Sequence, residues 1–200
     1  TMRALRCLAK DQPPELQNIP QPTPAKGELR IKIAACGLNF ADLLMVQGSY
    51  QDTPPYPFTM GMEVSGVVDA LGEGVSGPAV GTPVMVFGGQ GGLADYACFE
   101  ATRVTPLPEG TDMVQAAALQ VAYGTSHLAL GYKAQLQAGE TLLVLGAAGG
   151  VGLTAVEIGK LSLHGLDQKA LGVSRRNTGA NDGYEKRRTF DVRFALFGQA

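Results

Sequence analysis

Two patterns of hydrophobic and polar positions divide this chain. From residue 2 to about residue 110, short apolar or alternating runs are separated by glycine and proline. They include residues 30–34, 63–71, 82–87, 93–99 and 103–105. Such runs predict many short strands, arranged as a β-barrel or a sandwich. Residues 54–57, Pro-Pro-Tyr-Pro, are too rich in proline for regular structure and predict an ordered loop.

Helical periodicity begins near Asp112. Residues 113–119 form a helix-prone run that Thr111 or Asp112 is placed to cap. The helix is expected to continue over 121–130, with Gly124 as an interruption. The apolar run 141–145 then predicts a strand, and residues 153–161 predict the next helix.

A glycine-rich turn joins that strand to that helix. Its residues are Gly146, Ala147, Ala148, Gly149, Gly150, Val151 and Gly152. The spacing G-x-x-G-x-x-G is related to the G-x-G-x-x-G fingerprint of dinucleotide-binding proteins. Glycines let the backbone approach a pyrophosphate, and the start of a helix offers free N–H groups. The turn therefore predicts a phosphate cradle within a βαβ unit.

Composition narrows the class of protein. The chain has 200 residues, 45% of them hydrophobic and 17% charged, which is typical of a globular protein. A net charge of -2 argues against binding to nucleic acid or to an anionic membrane. No apolar run has the length of a membrane span and no secretory signal opens the chain, so the expected location is the cytoplasm. Three widely spaced cysteines indicate reduced thiols rather than disulfides.

The end of the chain differs in charge from the rest. Residues 165–200 carry seven basic and four acidic residues, a net charge of +3. Residues 169–173 are a candidate second strand of the βαβ unit, and the alternation over 190–196 would suit an edge strand.

Three segments together resemble a known family. They are residues 35–44, Ala-Cys-Gly-Leu-Asn-Phe-Ala-Asp-Leu-Leu; residues 61–68, Gly-Met-Glu-Val-Ser-Gly-Val-Val; and the glycine turn. In this order they resemble the medium-chain dehydrogenase/reductase superfamily, and within it the zinc-free quinone oxidoreductases. The resemblance covers residues 2 to about 161.

The resemblance implies an α/β fold combined with a β-barrel. A GroES-like catalytic domain would span residues 2–124, a partial Rossmann nucleotide-binding domain residues 125–176, and an atypical tail residues 177–200. A complete dinucleotide fold has six strands, and only about two fit after residue 141. We therefore expect a truncated chain with an unrelated end, in which the edge strand that usually forms the family's homodimer is also absent.

The resemblance also implies a site without metal. The zinc branch of the superfamily has a cysteine at the position of Asn39 and a histidine at that of Met62. Asn39 would face the nicotinamide ribose, and Thr125 would lie near the nicotinamide ring. Tyr50 would stack on the substrate or hydrogen-bond to its carbonyl. Each has a structural alternative: Asn39 stabilising its own loop, Tyr50 covering the barrel surface, and Thr125 bonding to its own helix.

Two acidic residues in the same segments are interpreted structurally. Asp42 is expected to cap a helix or to pair near its start. Glu63, next to the position of the absent zinc ligand, is expected to be a buried, paired carboxylate, because a buried charge needs partners.

Cofactor preference is linked to the end of the candidate second strand. Ser174 and Arg175 stand where an acidic residue would favour NAD, whereas an arginine suits the 2′-phosphate of NADP. Two solvated arginines in a turn are the alternative. The expected cofactor is NADP(H).

The implied function is NADPH-dependent, zinc-independent reduction of quinones or α,β-unsaturated carbonyls by hydride transfer. Truncation would abolish this activity if it removed the cofactor site. The partners are a small quinone or enone substrate, with no nucleic acid and no membrane. Two alternatives remain at this point: an enoyl-thioester reductase of the same superfamily, and a non-catalytic remnant or binding module.

Overall fold

The computed structural model describes residues 1–138 and 140–162 and the strand 171–173. The chain divides into two compact units, with the boundary between Gln120 and Val121. The first unit contains eight strands, two α-helices and a 3₁₀ turn. They are β1 (Met2–Cys7), β2 (Glu15–Ile19), β3 (Glu28–Gly37), α1 (Phe40–Val46), β4 (Phe58–Thr59), β5 (Glu63–Leu71), β6 (Pro83–Phe87), β7 (Tyr96–Glu100), the 3₁₀ turn Ala101–Arg103, β8 (Val104–Pro106) and α2 (Met113–Ala117).

The strands of the first unit form two antiparallel sheets. One has five strands in the order β7-β3-β5-β6-β8, and the other has three in the order β2-β1-β4. The β3–β5 pairing shifts register between Arg30 and Ile31 and again between Ile33 and Ala35. Such irregularities bend a strand locally and increase its twist.

The two sheets do not close into a barrel within residues 1–120, which corrects that part of the sequence prediction. A single bridge, Ala4 with Ala94, links β1 to the segment before β7. Prolines limit the ladders, because a residue without an N–H cannot extend them. Pro57 directly precedes the two-residue strand β4, Pro83 begins β6, and Pro106 ends β8.

Alternating side chains of the larger sheet form the main core of the first unit. The eight buried residues are Leu29, Ile31, Val64, Val68, Val84, Val86, Ala97 and Phe99. A second cluster is rich in sulfur and consists of Cys7, Met45, Phe58, Met60 and Met62. The short α2 begins at Asp112, whose carboxylate accepts hydrogen bonds from the N–H groups of Val114 and Gln115. Of the two caps predicted, Asp112 is therefore the one used.

The described part of the second unit is a βαβ arrangement, as the sequence predicted. Strand β9 (Leu143–Leu145) leads into helix α4 (Gly150–Ser162), and β10 (Leu171–Val173) pairs with β9 in parallel. The buried side chains of Leu130, Leu142, Val144 and Ala155 form its core.

The helical stretch before β9 continues through Gly124 without a break. A π-helical segment, Leu119–Tyr123, leads into α3 (Gly124–His127), and a second π-helical segment covers Leu128–Lys133. The predicted interruption at Gly124 is therefore wrong. A single glycine costs a helix only about 1 kcal/mol relative to alanine, which packing elsewhere offsets.

The predicted edge strand at 190–196 lies outside the described residues. Within the described part, no helix has both the length and the apolar character needed to cross a bilayer.

Truncation of a core side chain tests the account of the first unit. Ile31 is fully buried between β5 and β7, so Ile31→Ala should lower the free energy of unfolding by about 2–5 kcal/mol through lost burial and a residual cavity. Leu16 is 70% exposed, so Leu16→Ala should change it by less than about 0.5 kcal/mol. Urea unfolding followed by circular dichroism measures both, and equal effects would contradict this assignment of the core.

Candidate active site and glycine loop

The glycine loop of the second unit is closed by a tight backbone contact. Gly146 follows β9 with a φ of +73°, a left-handed conformation that glycine adopts without strain. The N–H of Gly149 donates to the carbonyl oxygen of Gly146 at 2.9 Å. A Cβ at Gly152 would lie 2.1 Å from that same oxygen, so only glycine fits there. The loop therefore requires glycine at both of its ends.

The start of α4 offers donors and a favourable field for an anion. The first turn of any α-helix has N–H groups without intrahelical partners, and its end of the dipole is positive. No acidic residue lies in the first turn of α4, while Lys160 lies in its last. Gly146, Ala148, Gly149 and Gly150 are exposed. These residues fit a phosphate or pyrophosphate group.

Two buried hydroxyl groups hold α3 against this loop. Ser126 Oγ lies 2.8 Å from the Val151 carbonyl oxygen and 2.8 Å from Thr154 Oγ1. Thr154 Oγ1 donates to the carbonyl of Ala122 at 3.0 Å or to that of Val151 at 2.9 Å. Sequence reasoning missed both residues and selected the neighbouring Thr125, which is half-buried in α3. The sequence contained one signal that could have identified them, because each is a hydroxyl residue on the apolar face of a predicted helix.

In the first unit, two buried carboxylates organise the start of α1. Asp42 accepts the N–H of Asn39 at 2.8 Å through Oδ2 and that of Gly61 at 3.2 Å through Oδ1. The Asn39 amide nitrogen donates to Glu63 Oε1 at 2.9 Å. Asp42 is 4% exposed and Glu63 is 2% exposed. The structural interpretations of Asp42 as a helix-start residue and of Glu63 as a buried, paired carboxylate are confirmed.

Burial changes the pKa of two groups at this site, Asp42 and Cys36. It raises the pKa of Asp42, although the hydrogen bonds from the Asn39 and Gly61 amides act in the opposite direction. Burial, reinforced by the negative charges of Asp42 and Glu63, raises the pKa of Cys36 to about 12. The Cys36 thiol is therefore neutral at physiological pH and is a poor nucleophile.

A cleft of about 390 Å³ opens at the other end of α1. Its apolar walls come from α1, the proline-rich loop, β6 and the turn after β6, and polar groups stand among them. The lining residues are Met45, Tyr50, Asp52, Pro54, Pro55, Met62, Phe87, Gly88, Gly89, Gln90 and Arg103. Sequence analysis identified Tyr50 as a substrate contact and Met62 as the position of the absent zinc ligand, and it missed the rest of the lining.

The C-terminus of α1 is anchored beside this cleft. The Tyr56 hydroxyl donates to the Met45 carbonyl at 2.8 Å, and the Asp11 N–H donates to that of Val46 at 2.9 Å. These bonds satisfy carbonyls that the helix end would leave unpaired. Burial first, and then the charges of Asp52 and Asp42, raise the pKa of Tyr50. Its phenol therefore remains protonated, and able to donate, at neutral pH.

Comparison with known proteins identifies the lineage. Residues 25–109 match the alcohol dehydrogenase GroES-like domain. The chain is 37% identical to the quinone oxidoreductase of Rattus norvegicus over 182 residues, which are 89% of this chain and 54% of that protein. It is 44% identical to the synaptic vesicle membrane protein VAT-1 homolog of Homo sapiens over 137 residues, which are 68% of this chain and 35% of that protein.

A solved structure shows the same relationship. The quinone oxidoreductase from Thermus thermophilus, for which a complex with NADPH is also known, aligns with a TM-score of 0.71 and 37% identity, over 80% of this chain and 50% of that one. The chain belongs to the medium-chain dehydrogenase/reductase superfamily. The family and the fold class expected from the sequence are confirmed, except that the two sheets of residues 1–120 do not close into a barrel. The chain spans about half or less of the length of these relatives.

The superfamily's motif positions fall in both units. Asn39 lies at the start of α1, and Tyr50 lines the cleft at the other end of the helix. Met62, at the position where the zinc branch has a histidine, lines the same cleft. The glycine loop and Thr125 belong to the second unit. Ser174 and Arg175 lie outside the described residues, so their role stays a prediction. Among the residues that are described, no group of His, Cys, Asp and Glu side chains is arranged as a metal site.

Gly37 tests the carboxylate network. A Cβ at this position would lie 2.6 Å from Glu63 Oε1 and 2.7 Å from the Ala117 carbonyl oxygen. Gly37→Ala should therefore displace Glu63 and cost about 1–3 kcal/mol of stability through overpacking. Thermal unfolding by calorimetry measures the effect.

The matched control is Gly124→Ala, where a Cβ meets nothing within 4 Å and the backbone is helical. It should be neutral or stabilise by about 0.5–1 kcal/mol. A neutral result for Gly37→Ala would contradict the close packing around Glu63.

Proposed function

We propose that this chain is the nucleotide- and substrate-binding portion of an NADPH-dependent oxidoreductase that reduces quinones or α,β-unsaturated carbonyls without a metal. The observation that carries the proposal is the glycine loop. Next to the closing contact between Gly152 and Gly146, Gly149 and Gly150 at the start of α4 are exposed, and a phosphate would bind there. The names of the relatives support the type of reaction.

The second unit would hold the diphosphate of the cofactor. The N–H groups of the exposed loop and of the first turn of α4 would donate to its oxygens, and the helix dipole would favour its charge. When bound, NADPH supplies a hydride from C4 of its nicotinamide ring. Asn39 and Thr125 stay predicted contacts of the nicotinamide half, and the preference for NADP stays a prediction linked to Arg175.

The first unit would hold the substrate. The cleft presents apolar surface from Met45, Met62 and Phe87 to a flat ring, and the Tyr50 hydroxyl is a donor that stays protonated. A donor placed at a carbonyl oxygen stabilises the negative charge that develops there as hydride arrives. Phenolic donation by Tyr50 would replace the polarisation that the zinc branch obtains from its metal. Zinc independence and a cytoplasmic location stay predictions.

Cofactor binding can be tested at the closing contact of the loop. Gly152→Ala would push the backbone away from Gly146 and disrupt the cradle, so affinity for NADPH should fall by at least about tenfold. Gly131→Ala is the matched control, because its Cβ would make only ordinary contact with His127, at 3.8 Å. Isothermal titration calorimetry measures both variants, and the proposal fails if the unmodified chain binds no NADPH or if Gly152→Ala binds as tightly.

Tyr50 can be tested by separating its hydroxyl from its ring. Tyr50→Phe keeps the ring in the cleft and removes the donor, so kcat/KM for quinone reduction should fall by roughly tenfold or more with little change in KM. Tyr50→Ala should also raise KM, because the wall of the cleft is lost. NADPH oxidation measured by absorbance, with a quinone, an enone and an enoyl-CoA as acceptors, gives both values and the substrate preference. Unchanged kinetics in Tyr50→Phe would make Tyr50 a wall residue only.

A further inference from the structure

A phenylalanine is exposed at the end of a strand whose neighbouring residues are buried. Phe87 is the last residue of β6 and is 40% exposed, whereas Val84 and Val86 of the same strand are fully buried in the main core. Successive side chains of a strand point to opposite faces of the sheet. The side chain of Phe87 therefore lies on the face away from the core, where it lines the cleft.

The backbone on both sides of Phe87 is fixed by hydrogen bonds. Phe87 pairs with Glu63 of β5 in the antiparallel ladder. Directly after it, the N–H groups of Gly88 and Gly89 both donate to the Met62 carbonyl, at 2.9 and 3.0 Å. The sheet and the turn thus hold the Phe87 backbone at the cleft without the help of a ligand.

A second aromatic ring, that of Tyr50, lines the same cleft from the segment after α1. Among the described residues, the rings of Tyr56 and Phe58 form the one aromatic pair, with centroids 5.5 Å apart, so Tyr50 and Phe87 are not stacked on each other. Aromatic rings gain energy from stacked or edge-to-face contact beyond what burial of their area supplies. A planar aromatic ligand would obtain this gain in the cleft, whereas a saturated ring or an acyl chain would obtain burial alone.

The charged groups of the cleft give no preference for an anionic ligand. Asp52 and Arg103 are the charged residues of its lining, and their charges are opposite. Arg103 Nε also lies 3.4 Å from Glu100 Oε2, in an exposed pair. The cleft therefore has no surplus positive charge for the phosphates of an enoyl-thioester of coenzyme A. Selectivity inside the cleft depends on the apolar part of the ligand.

We propose that Phe87 is a specificity-determining residue, which contacts an aromatic ring of the carbonyl acceptor and makes the cleft discriminate between aryl-substituted acceptors and saturated ones of the same size. This inference rests on the proposed function in taking the cleft to be the acceptor site. Contact between the rings requires no hydride transfer, so it can be measured on the chain without NADPH.

Two enones that differ only in their ring separate aromatic contact from burial. They are 4-phenylbut-3-en-2-one and 4-cyclohexylbut-3-en-2-one, and their Kd values are measured by ¹H–¹⁵N NMR titration without NADPH. Phe87→Leu keeps an apolar side chain and removes the ring. It should raise the Kd of the phenyl enone by about two- to tenfold and that of the cyclohexyl enone by less than about twofold.

Two further variants serve as controls. Phe87→Tyr keeps the ring and should retain both Kd values. Phe40→Leu is the same substitution at a phenylalanine that is 68% exposed and is not in the lining of the cleft, so it should also leave both values unchanged. Intermolecular NOEs between the Phe87 ring and the phenyl protons, recorded on the unmodified chain, test the contact without relying on the folding of a variant.

The outcomes separate this inference from the proposed function. If the phenyl enone binds through Phe87 but NADPH reduces neither enone, the proposed function fails and the inference stands. The inference is overturned if the phenyl enone does not bind or shows no NOE to Phe87. It is also overturned if Phe87→Leu weakens both enones equally, because burial would then be the cause, or if Phe87→Tyr weakens the phenyl enone as much as Phe87→Leu does.

Discussion

The approach of Gly152 to the carbonyl oxygen of Gly146 is the constraint on which the second unit depends. At 2.1 Å from that oxygen, a Cβ has no place, so the chain can turn from β9 into α4 only with glycine there. The turn brings the first residues of α4 directly above the end of the strand. The same packing recurs further along the helix, where a Cβ at Gly159 would lie 2.3 Å from the Leu142 side chain. Helix and strand therefore lie close together along their length, and the proposed phosphate site depends on that closeness.

The first unit uses buried charge for a similar purpose. Asp42 ties the start of α1 to Gly61, and Glu63 fixes the amide of Asn39. Each carboxylate has backbone or amide donors as partners, which reduces the cost of removing its charge from water. The other end of the same helix is fixed by Tyr56 and Asp11. Helix α1 has only seven residues, and these hydrogen bonds fix both of its ends. Asn39 lies at its start, and the cleft that contains Tyr50 lies at its other end.

The sequence predicted the elements with strong local signals. Strand β5 was predicted at its observed bounds, and the strand–turn–helix around Gly146 was recognised from glycine spacing and apolar periodicity. Closure of the barrel was not predictable, because it depends on how distant strands pair and on where prolines end the ladders. Gly124 was predicted to interrupt the helix because helix propensity considers each residue by itself. In the folded chain, the residues around Gly124 stabilise the helix. The pair Ser126 and Thr154 was missed because residues 28 positions apart become neighbours only after folding.

The state of the three thiols has a consequence for a protein proposed to handle quinones. Quinones are electrophiles that add to thiolate sulfur, so an enzyme that binds them risks arylation by its own substrate. Burial raises the pKa of Cys36 to about 12 and that of Cys98 to about 11, and it raises the pKa of Cys7 as well. At physiological pH almost no thiolate is present on any of them. The fold thus gives the polypeptide a chemical tolerance of the reactive molecules that its cleft would admit.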